Sequence, residues 1–148
     1  MTAITLARPD DLDRLLPLVA AFHAEQGVDM DDGGRRAAMQ PLLEGSPHGA
    51  LYIVGPNRAP IGYVMISFGW SLRFGGLDGV LDEIFIRPGV RGRRIGTEIL
   101  LALPKTLGAA GLRALHLEVE RDKDRARALF ERLSFRASER SMRMTRVF

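Results

Sequence analysis

Hydrophobic and polar positions along the chain follow two periods, one of two residues and one near 3.6. Segments that are rich in β-branched or alternating apolar residues predict strands, and they cover residues 4–8, 50–54, 60–68, 77–86, 112–120 and 140–147. Segments with apolar residues at three- and four-residue spacing predict helices, and they cover residues 12–26, 35–43, 95–107 and 124–133. The predicted order is β-α-α-β-β-β-α-β-α-β, a single α/β domain over residues 1–148 with a hairpin turn across residues 55–59.

The segment from Leu81 to Thr97 combines a strand, a turn and the start of a helix. A helix N-terminus has unpaired amide hydrogens and a partial positive charge, so it favours anions. Gly92 and Gly96 would let the backbone approach a bulky anion closely. Positive charge is added by Arg91, Arg93 and Arg94. The segment therefore predicts a phosphate or pyrophosphate site, and the alternative is a solvated basic turn.

Two common phosphate motifs are absent from this loop. A P-loop requires Gly-Lys followed by Ser or Thr, and a dinucleotide fold requires G-x-G-x-x-G; neither pattern occurs here. The loop instead resembles the acetyl-CoA signature of the GNAT superfamily of N-acyltransferases, [Q/R]-x-x-G-x-[G/A]. Arg91, Ile95 and Gly96 fit that signature, and Gly92 is a frequent extra glycine. Arg94 stands where the family usually has glycine.

A second motif further along the chain is similar to the strand-helix module of the same family. Leu117-Glu118-Val119 precedes Ala126-x-x-Leu129-Phe130 and then Leu133-Ser134-Phe135. Three positions depart from the family's usual form. Lys123 replaces an Asn that contacts the pantetheine arm, Phe130 replaces a Tyr that often protonates the leaving thiolate, and Ser134 replaces a Gly.

The resemblance implies a fold, a cofactor and a set of binding residues. The implied fold is a mixed, mostly antiparallel central sheet flanked by helices, and the implied activity is transfer of an acetyl group from acetyl-CoA to a primary amine of a small molecule or protein. No metal is implied. Backbone groups would hold the pantetheine arm, and the basic loop would hold the pyrophosphate. The implied cofactor-binding residues are Ile84, Phe85, Ile86, Arg91, Gly92, Arg93, Arg94, Ile95, Gly96, Thr97 and Lys123.

An attacking amine must lose a proton, so a carboxylate near the thioester is expected to act as a general base. Glu83 is the first candidate, because it lies on the strand that would present cofactor-binding backbone. Glu118, on the neighbouring predicted strand, is the second candidate. The alternative for either residue is an ordinary ion-paired or hydrogen-bonded carboxylate. Phe130 would weaken acid catalysis, but a thiolate with a pKa near ~8.5 leaves with little assistance.

The acceptor and the partners are less constrained by the sequence. Residues 28–34 read as an acidic, glycine-rich loop, and in the family the adjoining helices flank the acceptor site. A cationic acceptor would be favoured by Glu25, Asp29, Asp31 and Asp32. A homodimer is a further expectation from the family.

Composition narrows the other functional classes. The absence of cysteine excludes thiolate catalysis and cysteine-ligated zinc, and His23, His48 and His116 lack metal-motif spacing. The formal charge is +3, yet the basic residues form no long run and lack aromatic interleaving, so nucleic-acid binding ranks last. No apolar run approaches the ~20 residues of a membrane helix, and we expect a cytoplasmic protein. The main alternative is a non-catalytic module that binds or senses acyl-CoA.

Overall fold

The computed structural model describes residues 1–148. The chain divides into two units, Met1–Glu118 and Val119–Phe148. The first unit contains the whole sheet and three helices, and the second contains the fourth helix. The expectation of one domain over residues 1–148 stays a prediction.

Five strands form one sheet in the order β1-β2-β3-β4-β5. Their bounds are Ile4–Leu6, Gly49–Val54, Gly62–Ser71, Gly76–Ile86 and Ala114–Leu117. Neighbouring strands are antiparallel from β1 to β4, and β4 pairs with β5 in parallel. The mostly antiparallel sheet is therefore confirmed, as is the antiparallel hairpin between β2 and β3.

Four helices complete the fold, namely α1 Leu12–Gln26, α2 Asp32–Leu43, α3 Ile95–Ala109 and α4 Asp124–Arg132. The α1 helix ends at Gly27, whose φ of 69° gives the left-handed cap that glycine adopts readily. The α2 helix begins three residues before its predicted start, so residues 32–34 are not loop. The cause is Asp31, whose side chain accepts a hydrogen bond from the Gly34 amide at 2.7 Å and caps the helix.

One face of the sheet packs against α1 and α2. Burying each large aliphatic side chain contributes roughly 1.5–3 kcal/mol, so this layer is a main source of stability. Its buried residues come from both helices and from alternate positions of three strands. They include Leu15, Leu16, Leu18 and Val19 of α1, Met39 and Leu43 of α2, and Leu51, Ile53, Tyr63 and Phe85 of the sheet.

The other face of the sheet is also buried. Its side chains have the opposite strand phase, as at Val54, Val64 and Ile66, which are fully buried outside the first core. The α3 helix has its own buried apolar stripe, with Ile95, Ile99, Leu103 and Leu107 at one-turn spacing. Helices therefore flank the sheet, as the sequence predicts.

A β-bulge interrupts β4 at Asp82. Met65 pairs with Glu83 and Ile66 pairs with Leu81, which leaves Asp82 without a partner. An extra residue shifts the alternation of side chains by one position. Glu83 therefore shares a face with Phe85 and the α1 core, whereas Leu81 is buried on the α3 face.

Two strand predictions need correction at the carboxyl-terminal end. The β5 strand ends at Leu117, where its ladder with Leu81 of β4 stops, so Glu118 follows the strand instead of lying within it. The predicted strand over residues 140–147 is wrong, because those residues form no regular ladder and are exposed. Alternating apolar residues suit a strand only where a partner strand pairs with it.

Candidate active site

The loop between β4 and α3 leaves the start of α3 open. No side chain caps the first amides of this 15-residue helix, although most helices place a Ser, Thr, Asp or Asn there. Gly92 has a φ of 81°, a left-handed conformation that glycine adopts without steric strain. Uncapped amides, the helix dipole and the exposed side chains of Arg91, Arg93 and Arg94 together make this loop suited to an anion.

Arg91 is held against the end of β4. Its Nε donates to the carbonyl oxygen of Ile86 at 2.8 Å, and its Nη2 lies 2.7 Å from Oε1 of Glu25 on α1. The guanidinium carbon also stacks over the Phe85 ring, 5.4 Å from its centroid. Arg91 therefore connects the basic loop to both β4 and α1.

The second half of β4 has a free edge. The ladder with β5 ends at Leu81, and residues 83–86 pair with β3 alone. The Arg87 amide donates to Ile61 at 2.8 Å, so the Ile86 carbonyl, on the other side of the same peptide, points away from β3. Antiparallel ladders alternate, so the backbone groups of Ile84 and Ile86 face the free edge, while those of Phe85 face Tyr63.

Glu83 lies at the centre of a hydrogen-bonded cluster on the core face of β4. Its Oε1 accepts from the Tyr63 hydroxyl at 2.7 Å, and its Oε2 lies 2.9 Å from Nε2 of His23 on α1. The Glu83 side chain is 26% exposed. A carboxylate has about four acceptor positions, so Glu83 can still accept a proton or a substrate hydrogen bond.

The cluster continues from His23 to α2. Nε of Arg35 donates to Nδ1 of His23 at 3.1 Å, and Nη1 of Arg35 lies 2.8 Å from Asp32. The Tyr63 side chain is fully buried, and burial, followed by the bond to Glu83, strongly raises the pKa of its phenol. Tyr63 therefore remains a protonated donor to Glu83 across the working pH range.

Comparisons with known proteins agree with this architecture. Residues 19–135 match the Acetyltransferase (GNAT) family. The chain belongs to the GNAT acetyltransferase family. A search of curated proteins gave no match.

Solved structures related to this GNAT protein cover almost its whole length. A possible acetyltransferase from Clostridium difficile 630 superposes with a TM-score of 0.85 at 19% identity, covering 100% of this chain and 99% of its own. An integron cassette protein from the mobile metagenome of Cole Harbour Salt Marsh gives 0.83 at 25% identity, with 98% and 90% covered. The aminoglycoside N-acetyltransferase AAC(6')-Iy in complex with CoA gives 0.78 at 17% identity, with 99% and 95% covered.

Other predicted site residues of this GNAT protein lie outside the Glu83 cluster. Glu118 is exposed at the end of the first unit. In the second unit, Lys123 is exposed and immediately precedes α4, and Phe130 packs against Phe135 with ring centroids 6.1 Å apart. No group of three or more His, Asp or Glu residues could hold a metal ion, and no helix is long and apolar enough to cross a membrane.

Three of the four acidic residues expected to attract a cationic acceptor have partners within the protein. Asp31 caps α2, Asp32 pairs with Arg35, and Glu25 pairs with Arg91. Asp29 is exposed between α1 and α2. Much of this acidic charge is therefore neutralised by neighbouring groups.

Sequence reasoning missed His23, Tyr63 and Arg35, although each contributes to the Glu83 cluster. The spacing of α1 places His23 on the same helix face as the core leucines, and an imidazole there must find polar partners. That placement is the one local signal for His23. The partners lie 12 and 60 positions away along the chain, a separation that periodicity cannot bridge.

Proposed function

We propose that this GNAT protein transfers an acetyl group from acetyl-CoA to a primary amine of a small molecule or a protein, with Glu83 as the general base. The observation that carries the proposal is a partly exposed carboxylate, fixed by two donors, on the strand whose free edge leads to the basic loop. Family membership supports the reaction class. The bound CoA in the aminoglycoside acetyltransferase supports the donor.

The residues around β4 and α3 fit a coenzyme A donor. The amide and carbonyl of Ile84 and the amide of Ile86 lie on the free edge of β4, where the amides of a pantetheine arm would add like another strand. The Ile86 carbonyl already accepts from Arg91, and Phe85 would support this edge through its packing. The uncapped α3 amides and the loop from Arg91 to Thr97 would receive the pyrophosphate. We retain Lys123 as an additional phosphate contact. Bound acetyl-CoA supplies the thioester carbonyl and the thiolate leaving group.

Glu83 would take the proton that the attacking amine must lose. A free alkyl amine has a pKa near ~10 and is mostly protonated at neutral pH, so a positioned base accelerates attack. Proton transfer from the amine nitrogen to the carboxylate, directly or through water, frees the lone pair that forms the new amide bond. Glu118 is the second candidate for this role.

The departing thiolate would need little help from the protein. Phe130 has no hydroxyl, and Tyr63 cannot substitute as the acid because its raised pKa and its bond to Glu83 keep its proton in place. An alkyl thiol has a pKa near ~8.5, so its thiolate leaves readily and then takes a proton from water. The Ile86 amide, on the free edge, would donate to the carbonyl oxygen as negative charge develops there.

The acceptor is a primary amine, and the exposed Asp29 favours a cationic one. An aminoglycoside N-acetyltransferase is among the structural relatives, which supports an amine acceptor. A homodimer and a cytoplasmic location complete the proposal, and both follow from the family resemblance and the composition.

Turnover on a panel of primary amines tests the role of Glu83. The panel should include polyamines, aminoglycosides and peptides with free amino termini. Glu83→Gln keeps the side-chain size and removes the basic oxygen, so kcat should fall roughly 10²- to 10⁴-fold, while acetyl-CoA affinity stays within about twofold of wild type. The matched control is Asp78→Asn, a carboxylate on the same strand that pairs with His116 at 3.0 Å, and it should retain turnover.

Two outcomes would contradict the proposal in different ways. Undiminished turnover in Glu83→Gln would assign the base elsewhere, with Glu118 tested next. Tight acetyl-CoA binding without turnover on any amine would favour the non-catalytic acyl-CoA module, to which the loss of a tyrosine hydroxyl at Phe130 also points.

A further inference from the structure

Behind Glu83, a chain of hydrogen bonds runs from α2 through α1 to β4. Asp32 orients Arg35, Arg35 donates to His23, and His23 contacts Glu83, with distances of 2.8, 3.1 and 2.9 Å. We infer that His23 and Arg35 are positioning residues for Glu83: Arg35 selects the tautomer of His23, and His23 fixes the carboxylate. This inference rests on the proposed function, in which Glu83 is the base.

The tautomer of His23 follows from the chemistry of Arg35. A guanidinium nitrogen can only donate, so Nδ1 of His23 must be the acceptor and carries no proton. The single proton of the neutral ring is then on Nε2, which donates to Oε2 of Glu83. Glu83 demands the same tautomer from the other side of the ring, because an ionised carboxylate can only accept. Without Arg35, Nδ1 would be a buried acceptor with no donor, and the tautomer would depend on Glu83 alone.

His23 and Arg35 are buried, which limits the hydrogen-bond partners that they can choose. His23 is 8% exposed and the Arg35 side chain is 10% exposed. Polar groups at such depth need defined partners, so neither side chain can turn to water. Tyr63 fixes the other oxygen of Glu83. The carboxylate is therefore held from two sides by buried donors, which is the rigidity that proton transfer at a fixed distance requires.

The contribution of His23 as a donor is separable from its contribution to packing. His23→Leu keeps an apolar filling on the core face of α1 but removes the donor to Glu83. His23→Gln keeps a donor nitrogen and adds a carbonyl oxygen that can accept from Arg35. Arg35→Met removes the group that selects the tautomer while leaving His23 in place. His116→Leu is the matched control, because His116 contacts the carboxylate of Asp78 on the same strand, outside the cluster.

Nuclear magnetic resonance of the imidazole nitrogens tests the geometry without any turnover. At about pH 8, where free imidazole is neutral, the His23 ring should show the Nε2–H tautomer alone, with its resonances assigned by their loss in His23→Gln. Arg35→Met should change the Nδ1 resonance, because that nitrogen loses its donor and becomes an acceptor without a partner. An Nδ1–H ring in the wild type, or a ring unaffected by Arg35→Met, would overturn the inference even if no amine were acetylated.

A double-mutant cycle tests the functional coupling. His23→Leu should lower kcat roughly 10- to 100-fold, as expected for misplacing a base, with KM for acetyl-CoA unchanged. His23→Gln should restore most of the loss, and His116→Leu should have no effect. In the Glu83→Gln background, His23→Leu should change kcat less than about twofold, because no base remains to position. Independent, multiplicative losses would show a structural role for His23 and overturn the inference.

Different results would contradict the proposed function and the positioning role of His23. If the wild type binds acetyl-CoA but acetylates nothing, the proposed function fails, and the tautomer measurement still decides the arrangement of His23 and Arg35. If the wild type is active and His23→Leu matches it, the proposed function stands and the positioning role is wrong.

Discussion

Arg94 and Ser134 are the only residues other than glycine with positive φ angles, at 61° and 73°. A residue with a Cβ is strained in the left-handed region by roughly 1–2 kcal/mol. Both positions are ones where the related motifs usually have glycine. The sequence shows the two departures, and the structure shows that the backbone keeps the conformation for which glycine is suited.

Arg94→Gly should therefore stabilise the protein. Glycine removes the free-energy cost of the left-handed conformation, but its greater flexibility also stabilises the unfolded chain. The first free energy is the larger, so the free energy of unfolding should rise by about 0.5 kcal/mol. Urea denaturation at neutral pH measures it. Arg94→Ala is the control, because it removes the charge but keeps a Cβ, and it should give no gain. Equal stability of the two variants would argue against strain at this position.

The sequence predicts Glu83 as a candidate base but does not predict its hydrogen-bond partners. The sequence marks it as a carboxylate on a strand next to a basic glycine loop, and that is sufficient to nominate it as a base. The sequence does not show that Tyr63 and His23 both donate to it. Those contacts depend on how α1 packs across the sheet, which local patterns do not specify.

At the level of elements, the periodicities predict the order of strands and helices through α4. They do not predict the bulge at Asp82, because the residues around it do not show which one the partner strand leaves unpaired. They also overextend β5 and predict a strand over residues 140–147. In both cases the side-chain pattern is compatible with a strand, but the partner that would complete its ladder is not encoded locally.

The start of α3 is tied to the first residues of the chain. The hydroxyl and the amide of Thr2 both donate to Glu98 in the first turn of α3, the amide at 3.1 Å. These bonds, the hydroxyl first, lower the pKa of Glu98. A lowered pKa stabilises the folded state above the unfolded pKa, and the stabilisation is lost as the pH falls through the folded value.

Thr2→Val should accordingly destabilise the protein in a pH-dependent way. Its free energy of unfolding should be lower than that of wild type at neutral pH, and the difference should narrow as the pH falls through the lowered pKa of Glu98. Urea denaturation at neutral and acid pH measures both values. Thr2→Ser retains the hydroxyl and should behave like wild type. A difference that is constant with pH would mean that valine acts through something other than Glu98.

At the scale of the whole molecule, the candidate site is assembled from parts that are distant in sequence. The proposed base, Glu83, comes from β4, its hydrogen-bond donors come from α1 and β3, and the arginine that contacts His23 comes from α2. The proposed acetyl-CoA-binding groups are local by contrast, since the free edge and the basic loop lie between Ile84 and Thr97. This explains why a candidate acetyl-CoA site can be proposed from the sequence, whereas the surroundings of Glu83 cannot be predicted from it.

Positive and negative side chains are distributed differently around the basic loop and around α1 and α2. Arginine side chains surround the uncapped start of α3, whereas most of the acidic residues near α1 and α2 are engaged in caps and ion pairs. A phosphate-bearing ligand therefore meets a positive surface at the loop, even though the net charge of the chain is only +3. Binding at this loop should weaken as salt screens the arginines.

Calorimetric titration with acetyl-CoA tests the central claim most directly, with coenzyme A and NADH as comparison ligands. We predict one site per chain for acetyl-CoA and for coenzyme A, with a Kd of roughly 1–100 μM, and much weaker binding of NADH, which has a pyrophosphate but no pantetheine arm to pair with the free edge of β4. Arg91→Met should weaken both coenzyme A ligands. Absence of acetyl-CoA binding, or equal binding of NADH, would contradict the account.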